Sequence, residues 1–180
     1  DAWAFENPYS LPFIAPGNHG GQILEPANAR NVISVAAADS TENGSIWSAS
    51  AHGPTEEGGR GIFIAAPGQA IISAKGDGVK DSYNNESRIL TGTSMATPVA
   101  ASYGAILQQL IEKEKGVGPS GSLLRAMMAV SADKITDNAP DSSQGFGRPN
   151  LSLIVDEENG NLSIWTHDSF QQNDWQSWYS

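Results

Sequence analysis

The residues best placed to do chemistry lie in one short string, Leu90-Thr91-Gly92-Thr93-Ser94-Met95-Ala96-Thr97-Pro98. A glycine, two hydroxyl residues and then a run of small and apolar ones read as a tight turn opening an α-helix. Ser94 then sits at the positive end of the helix dipole, where negative charge developing on a reacting group is favoured. Two roles fit a serine in that place: a cap on a core helix, or a nucleophile. Ile89 and Leu90 read as the end of a buried segment, and Thr93 or Ser94 as the cap. Pro98 is expected within the first turns, where a missing N–H does least damage. From Met95 to Leu110 no polar stripe interrupts the apolar and small residues, which predicts a largely buried helix.

The rest of the chain must position that string. With 180 residues, one domain with a real core is the expectation. Leu11 to Ala15 read as a short buried strand, ended by Pro16-Gly17-Asn18-His19-Gly20-Gly21. Further strands are predicted at Asn31 to Ala38, Gly61 to Ala66 and Ala70 to Ala74. Asp1 to Asn7 read as a helix end or its exit loop, Lys75 to Arg88 as a surface loop, and Ser122 to about Ala132 as a second helix. Short apolar strands alternating with helices predict an α/β fold, a parallel sheet covered on both faces. From Asp156 the chain turns polar, with Leu162, Ile164, Trp175, Trp178 and Tyr179 spaced by Asn, Gln, Asp and Ser. That pattern reads as β-structure without its partners.

Composition narrows the function. A formal net charge of −10 argues against nucleic acid, whose phosphates need clustered Lys and Arg. No apolar run approaches the roughly 20 residues that span a bilayer. The chain has no cysteine, which excludes disulfides, thiolate zinc sites and a cysteine nucleophile.

Taken as a whole, Gly92-Thr93-Ser94-Met95-Ala96-Thr97-Pro98 resembles the nucleophile motif of the subtilisin-like serine proteases. Ala15-Pro16-Gly17-Asn18-His19-Gly20 is similar to the family's A-x-G-N-x-G loop. Glu25-Pro26 through Val35 resembles its segment of a proline, a short loop and V-I-x-V, in which the proline is commonly cis. Trp47-Ser48-Ala49-Ser50-Ala51-His52-Gly53-Pro54, Ile64-Ala65-Ala66-Pro67-Gly68 and Gln144-Gly145-Phe146-Gly147-Arg148 parallel F-S-S-x-G-P, V-x-A-P-G and a closing G-x-G turn. These matches run in family order from about residue 11 to 155.

The resemblance implies a subtilisin-like α/β fold with helices on both faces, present in part. It implies a serine endopeptidase with Ser94 as nucleophile and the Asn18 amide as an oxyanion donor beside the Ser94 N–H. It implies substrate-binding positions at Ala15, Pro16, Gly17, Leu24, Gly92 and Thr93, and a polypeptide as substrate. The family's catalytic aspartate and histidine lie upstream of the asparagine loop, in D-x-G and H-G-T-H strings that do not occur here. The expectation is therefore that residues 1–153 form the C-terminal part of a catalytic domain, completed by an upstream segment. Residues 154–180 would begin a C-terminal β-sandwich of the kind carried by certain alkaline subtilases. This piece alone should be inactive, and should fold only beside its missing segments. The alternative is a non-catalytic pseudo-protease kept for interaction or structure.

Other signals carry less. Gly116-Val117-Gly118-Pro119-Ser120-Gly121 matches G-x-G-x-x-G by letter, but a charged helix end precedes it, so it reads as a helix–helix connection. Asp137, Asp141, Asp156, Glu157 and Glu158 lack a ligand-loop spacing and read as solvated loops. The resemblance admits calcium, yet no ligand set is identifiable. Phe63 and Gly61 stand where many or some family members carry Asp and Glu. Asn43, Asn85, Asn150 and Asn161 each open an N-x-S triplet, in line with an extracellular or secretory setting. The tail tryptophans read as sandwich core, a contact patch being the other option.

Overall fold

The computed structural model describes residues 1–41 and 44–155. A short exposed helix, α1 (Ala2–Glu6), precedes three parallel strands: β1 (Phe13–Ile14), β2 (Ile33–Ala38) and β3 (Ile64–Pro67). They lie in the order β1-β2-β3, with Phe13 opposite Ile33 and Val35 opposite Ile64. Beyond β3 the segment Phe146–Gly147 continues the hydrogen bonding: Phe146 N–H donates to Phe63 O and the Ala65 N–H to Gly147 O, both at 2.8 Å. Every residue of β2 is buried, as a strand covered on both faces requires.

The side chains of β2 alternate between two apolar clusters. Ile33, Val35 and Ala37 face the long helix α2 (Thr93–Lys115) through Ala96, Ala100 and Leu107. Ala36 and Ala38 face a second cluster with Ile23, Ala27, Ile62 and Ala65, so coil segments cover this side among the described residues. Small residues let α2 lie close to the sheet; a Cβ at Gly104 would stand 2.9 Å from Phe13 Cζ. After Gly116 the connection Val117–Ser120 leads into α3 (Gly121–Val130), where Ser120 caps by accepting the Leu123 N–H. That stretch is a helix–helix connection, as its charged flank indicated.

The structure corrects four expectations. First, α2 is buried on one stripe only, at Thr93, Ala96, Ala100, Gly104, Leu107 and Ile111. Alanine, serine and glycine carry so little polarity that the stripe was hidden. Second, Ile89 and Leu90 do not end a buried segment. They belong to β5 (Ser87–Leu90), which pairs antiparallel with β4 (Ile71–Ala74) as an exposed hairpin. The predicted loop of residues 75–88 thus ends inside a strand. Third, the helix cap is Gly92, with no side-chain cap bond, because Thr93 turns its hydroxyl elsewhere. Fourth, Pro98 is the sixth residue of α2, so its missing N–H would have served the Ser94 carbonyl.

Two further short strands, β6 (Ala132–Asp133) and β7 (Arg148–Pro149), pair antiparallel and close the described part. The expected sandwich start at 154–180 lies, from Asp156 on, outside the described residues.

Candidate active site

All the groups of interest lie at the C-terminal ends of the parallel strands, where open α/β sheets gather their ligands. β1 runs out through Ala15 and the fully buried Pro16 into Gly17 and the exposed Asn18. Three hydrogen bonds hold that loop. The Leu24 N–H donates to Pro16 O at 3.3 Å, the Ala51 N–H to Gly17 O at 2.9 Å, and the Gly20 N–H to Ala49 O at 2.9 Å. Leu24 itself is 55% exposed. The Glu25–Pro26 peptide bond behind it is cis, as the resemblance implied.

The start of α2 is anchored separately. The Gly92 N–H donates to Gly68 O at 2.8 Å, tying the helix entry to the Pro67-Gly68 turn after β3. A Cβ on Gly92 would stand 3.2 Å from Asn18 Nδ2, so a side chain here would crowd the asparagine amide. Ser94 is the second residue of the helix, exposed, and its N–H belongs to the first turn, whose donors have no intrahelical partner.

Thr93 joins the two loops. Its backbone N–H donates to Asn18 Oδ1 at 2.8 Å and its hydroxyl to the same oxygen at 2.9 Å. The Thr93 hydroxyl also lies 3.4 Å from Gly17 O. A backbone N–H can only donate, so the oxygen of the Asn18 amide must point at Thr93. The amide nitrogen, with two N–H donors, is thereby turned toward Gly92 and left for another acceptor. The result is two sets of donors at the helix start, the Asn18 amide near Gly92 and the unpaired N–H groups of the first turn, in a setting that favours negative charge.

Of the residues expected to bind substrate, Ala15, Pro16 and Gly17 lie in the loop after β1, Gly92 and Thr93 at the helix entry, and the exposed Leu24 is tied to the loop through its N–H bond to Pro16 O. Three positions were missed: Gly68, Thr91 and Ala51, which bind the site loops through backbone groups or, for Thr91 Oγ1, the Ala70 N–H at 2.9 Å. All three lie in strings singled out above, Gly68 in the Pro67-Gly68 turn, Ala51 in Trp47 to Pro54 and Thr91 in the opening motif, but none of these strings indicated which backbone groups they bind.

No histidine or carboxylate is hydrogen-bonded to Ser94 among the described residues. His19 Nδ1 accepts the Gly21 N–H at 3.1 Å, and His52 Nδ1 lies 2.6 Å from Gly53 O. Both rings serve loop geometry. No group of three or more His, Asp or Glu among the described residues is arranged to hold a metal ion. Phe63 is instead packed edge-on against Phe146, ring centres 5.2 Å apart.

A profile described as the subtilase family, Peptidase_S8, matches residues 4–147. The chain belongs to the subtilase family. The halolysin-like extracellular serine protease Nep of Natrialba magadii is 32% identical over 163 residues, covering 84% of this chain and 24% of that protein. Subtilisin-like protease 9 of Arthroderma otae is 30% identical over 131 residues, 73% of this chain and 27% of that protein. The solved structure of the patellamide maturation protease PatA superposes with a TM-score of 0.66 at 30% identity, over 84% of this chain and 52% of that one. The chain thus spans about a quarter of these two curated relatives and about half of that solved chain. No helix among the described residues is long and apolar enough to cross a membrane.

Proposed function

We propose that this chain supplies the nucleophile and oxyanion donors of a serine endopeptidase that hydrolyses peptide bonds in polypeptide substrates. The observation that carries the reading is the Thr93–Asn18 clamp. It turns the Asn18 amide nitrogen toward Gly92, at the start of the helix whose second residue, Ser94, has an N–H unpaired within the helix. In this reading Ser94 Oγ attacks the peptide carbonyl, and the carbonyl oxygen, gaining charge, is held by Asn18 Nδ2 and the Ser94 N–H. A serine hydroxyl needs a base to act near neutral pH. We assign that base, a histidine oriented by an aspartate, to a segment preceding Asp1. Residues 1–153 then form the C-terminal part of the catalytic domain, and residues 154–180 lead into a sandwich. The relative named as extracellular, together with the N-x-S triplets, supports an extracellular or secretory setting.

The test is hydrolysis of an unfolded protein substrate by the full-length protein and by its Ser94→Ala variant. Loss of at least about 10³-fold in kcat in a variant that stays folded is expected. A folded wild-type protein that binds such a substrate without cleaving it would instead establish the pseudo-protease alternative.

A further inference from the structure

At the opposite ends of β2 and β3 from Ser94 lies a cavity of about 600 Å³ with no part in the chemistry above. Its wall holds four side chains in a stack. The Arg60 guanidinium lies 4.7 Å from the centre of the Phe146 ring, and the Arg125 guanidinium 4.4 Å from that of Phe63. The two rings meet edge-on at 5.2 Å. Two like charges are thus brought to one wall by aromatic faces, which attract each guanidinium from one side; Arg125 spends one N–H on the Arg30 carbonyl and keeps its others for a further acceptor.

Neither guanidinium has a carboxylate partner within the ion-pair distance; the ion pair found among the described residues is Lys75–Glu86. Arg125 donates to the backbone carbonyl of Arg30. Burial lowers the Arg125 pKa, and the nearby charge of Arg60 lowers it further, so the pair is held at an electrostatic cost. Asp1, Glu25, Glu56 and Glu57 also line the cavity, as does a third arginine, Arg30, and all five residues are exposed. The cavity therefore offers two forked donors on the wall and negative charge around them.

We infer that this cavity is a binding site for a carboxylate group, gripped between the guanidinium forks of Arg60 and Arg125. A carboxylate matches the fork in shape and offers two oxygens for paired hydrogen bonds. Its single charge is repelled less by Asp1, Glu25, Glu56 and Glu57 than a phosphate dianion would be. A polypeptide brings such a group at its C-terminus or on an acidic side chain; small organic acids bring it alone. The site rests on no part of the catalytic reading.

The experiment uses the full-length protein carrying Ser94→Ala, so that peptide probes survive. Titration calorimetry compares an N-acetylated dipeptide with a free C-terminus, the same dipeptide as its C-terminal amide, acetate, and inorganic phosphate. Saturable binding of the free-carboxylate dipeptide is expected, at least tenfold tighter than the amide. Arg60→Gln, at an exposed position, should weaken it at least tenfold without unfolding the protein, and Arg125→Gln should do the same. Acetate binding as tightly as the dipeptide supports the site and assigns it to small acids; weaker acetate binding assigns it to polypeptide carboxylates. Equal affinity for dipeptide and amide, tighter binding of phosphate, or affinity unchanged in both arginine variants would overturn the inference. Since no turnover is read, these outcomes are separable from failure of the protease reading.

Discussion

Strands β2 and β3 and the β4–β5 hairpin use the same kinds of residue and end in opposite surroundings. Ile33, Val35 and Ile64 have no exposed surface, whereas Ile72 and Ile89, paired across the hairpin, are 66% and 61% exposed. The parallel strands are covered by α2 on one face and by coil on the other. A two-stranded ribbon has no such cover within the described residues, and alone it would be marginal in water. Asn18 and Ser94 are both held from the buried half, and the hairpin enters the site only as the chain leading to Gly92. Precision in the site should therefore track packing of α2 on the sheet, while the hairpin tolerates change.

That contrast can be broken most severely at Leu107. Its side chain is fully buried between α2 and the sheet. Leu107→Ala should cost the full-length protein about 2–5 kcal/mol in denaturant unfolding, with an unchanged m-value. A cost below about 1 kcal/mol would mean that this face is loosely packed and does not hold the site.

Next comes the proposed oxyanion donor. Asn18→Ala should lower kcat by about 10²–10³, or roughly 2.7–4 kcal/mol, with little change in KM. A change confined to KM would make Asn18 a ground-state contact instead. Thr93→Val keeps the backbone bond to Asn18 Oδ1 and removes the hydroxyl bond. The expected loss in kcat/KM is about 0.5–1.5 kcal/mol, the range of one neutral hydrogen bond. No kinetic effect would show that the backbone N–H alone orients the amide.

The smallest effect is expected on the hairpin. Ile72→Thr or Ile89→Thr, at positions more than half exposed, should change stability by no more than about 0.5 kcal/mol. A cost above about 1 kcal/mol in thermal unfolding would show that another part of the full-length protein covers this ribbon.

The same contrast explains what could be read from the letters. Val-Ile-Ser-Val-Ala-Ala-Ala is long enough, and uniform enough, to demand burial on both sides, and it became β2. Ile89-Leu90 is two residues long, and an apolar run that short does not distinguish a core strand from a ribbon edge. Asn18 and Ser94 could be singled out because motif and order pointed to both. The bond that orients Asn18 was not, since hydroxyl preference at helix starts assigned Thr93 to capping and only the fold brings it to a loop 75 positions away. Arg60 and Arg125 gave no local signal at all: their stack is assembled from three separate segments, around Arg60–Phe63, Arg125 and Phe146.

Ser94 as an activated nucleophile is the central claim, and covalent labelling tests it most directly. The folded full-length protein should react with a fluorophosphonate at a single site, located on Ser94 by peptide mass spectrometry. Labelling should vanish in Ser94→Ala, and it should be absent from the 180-residue chain alone, which lacks the assigned base. Labelling that survives Ser94→Ala, or that proceeds equally well in the isolated chain, would contradict the account.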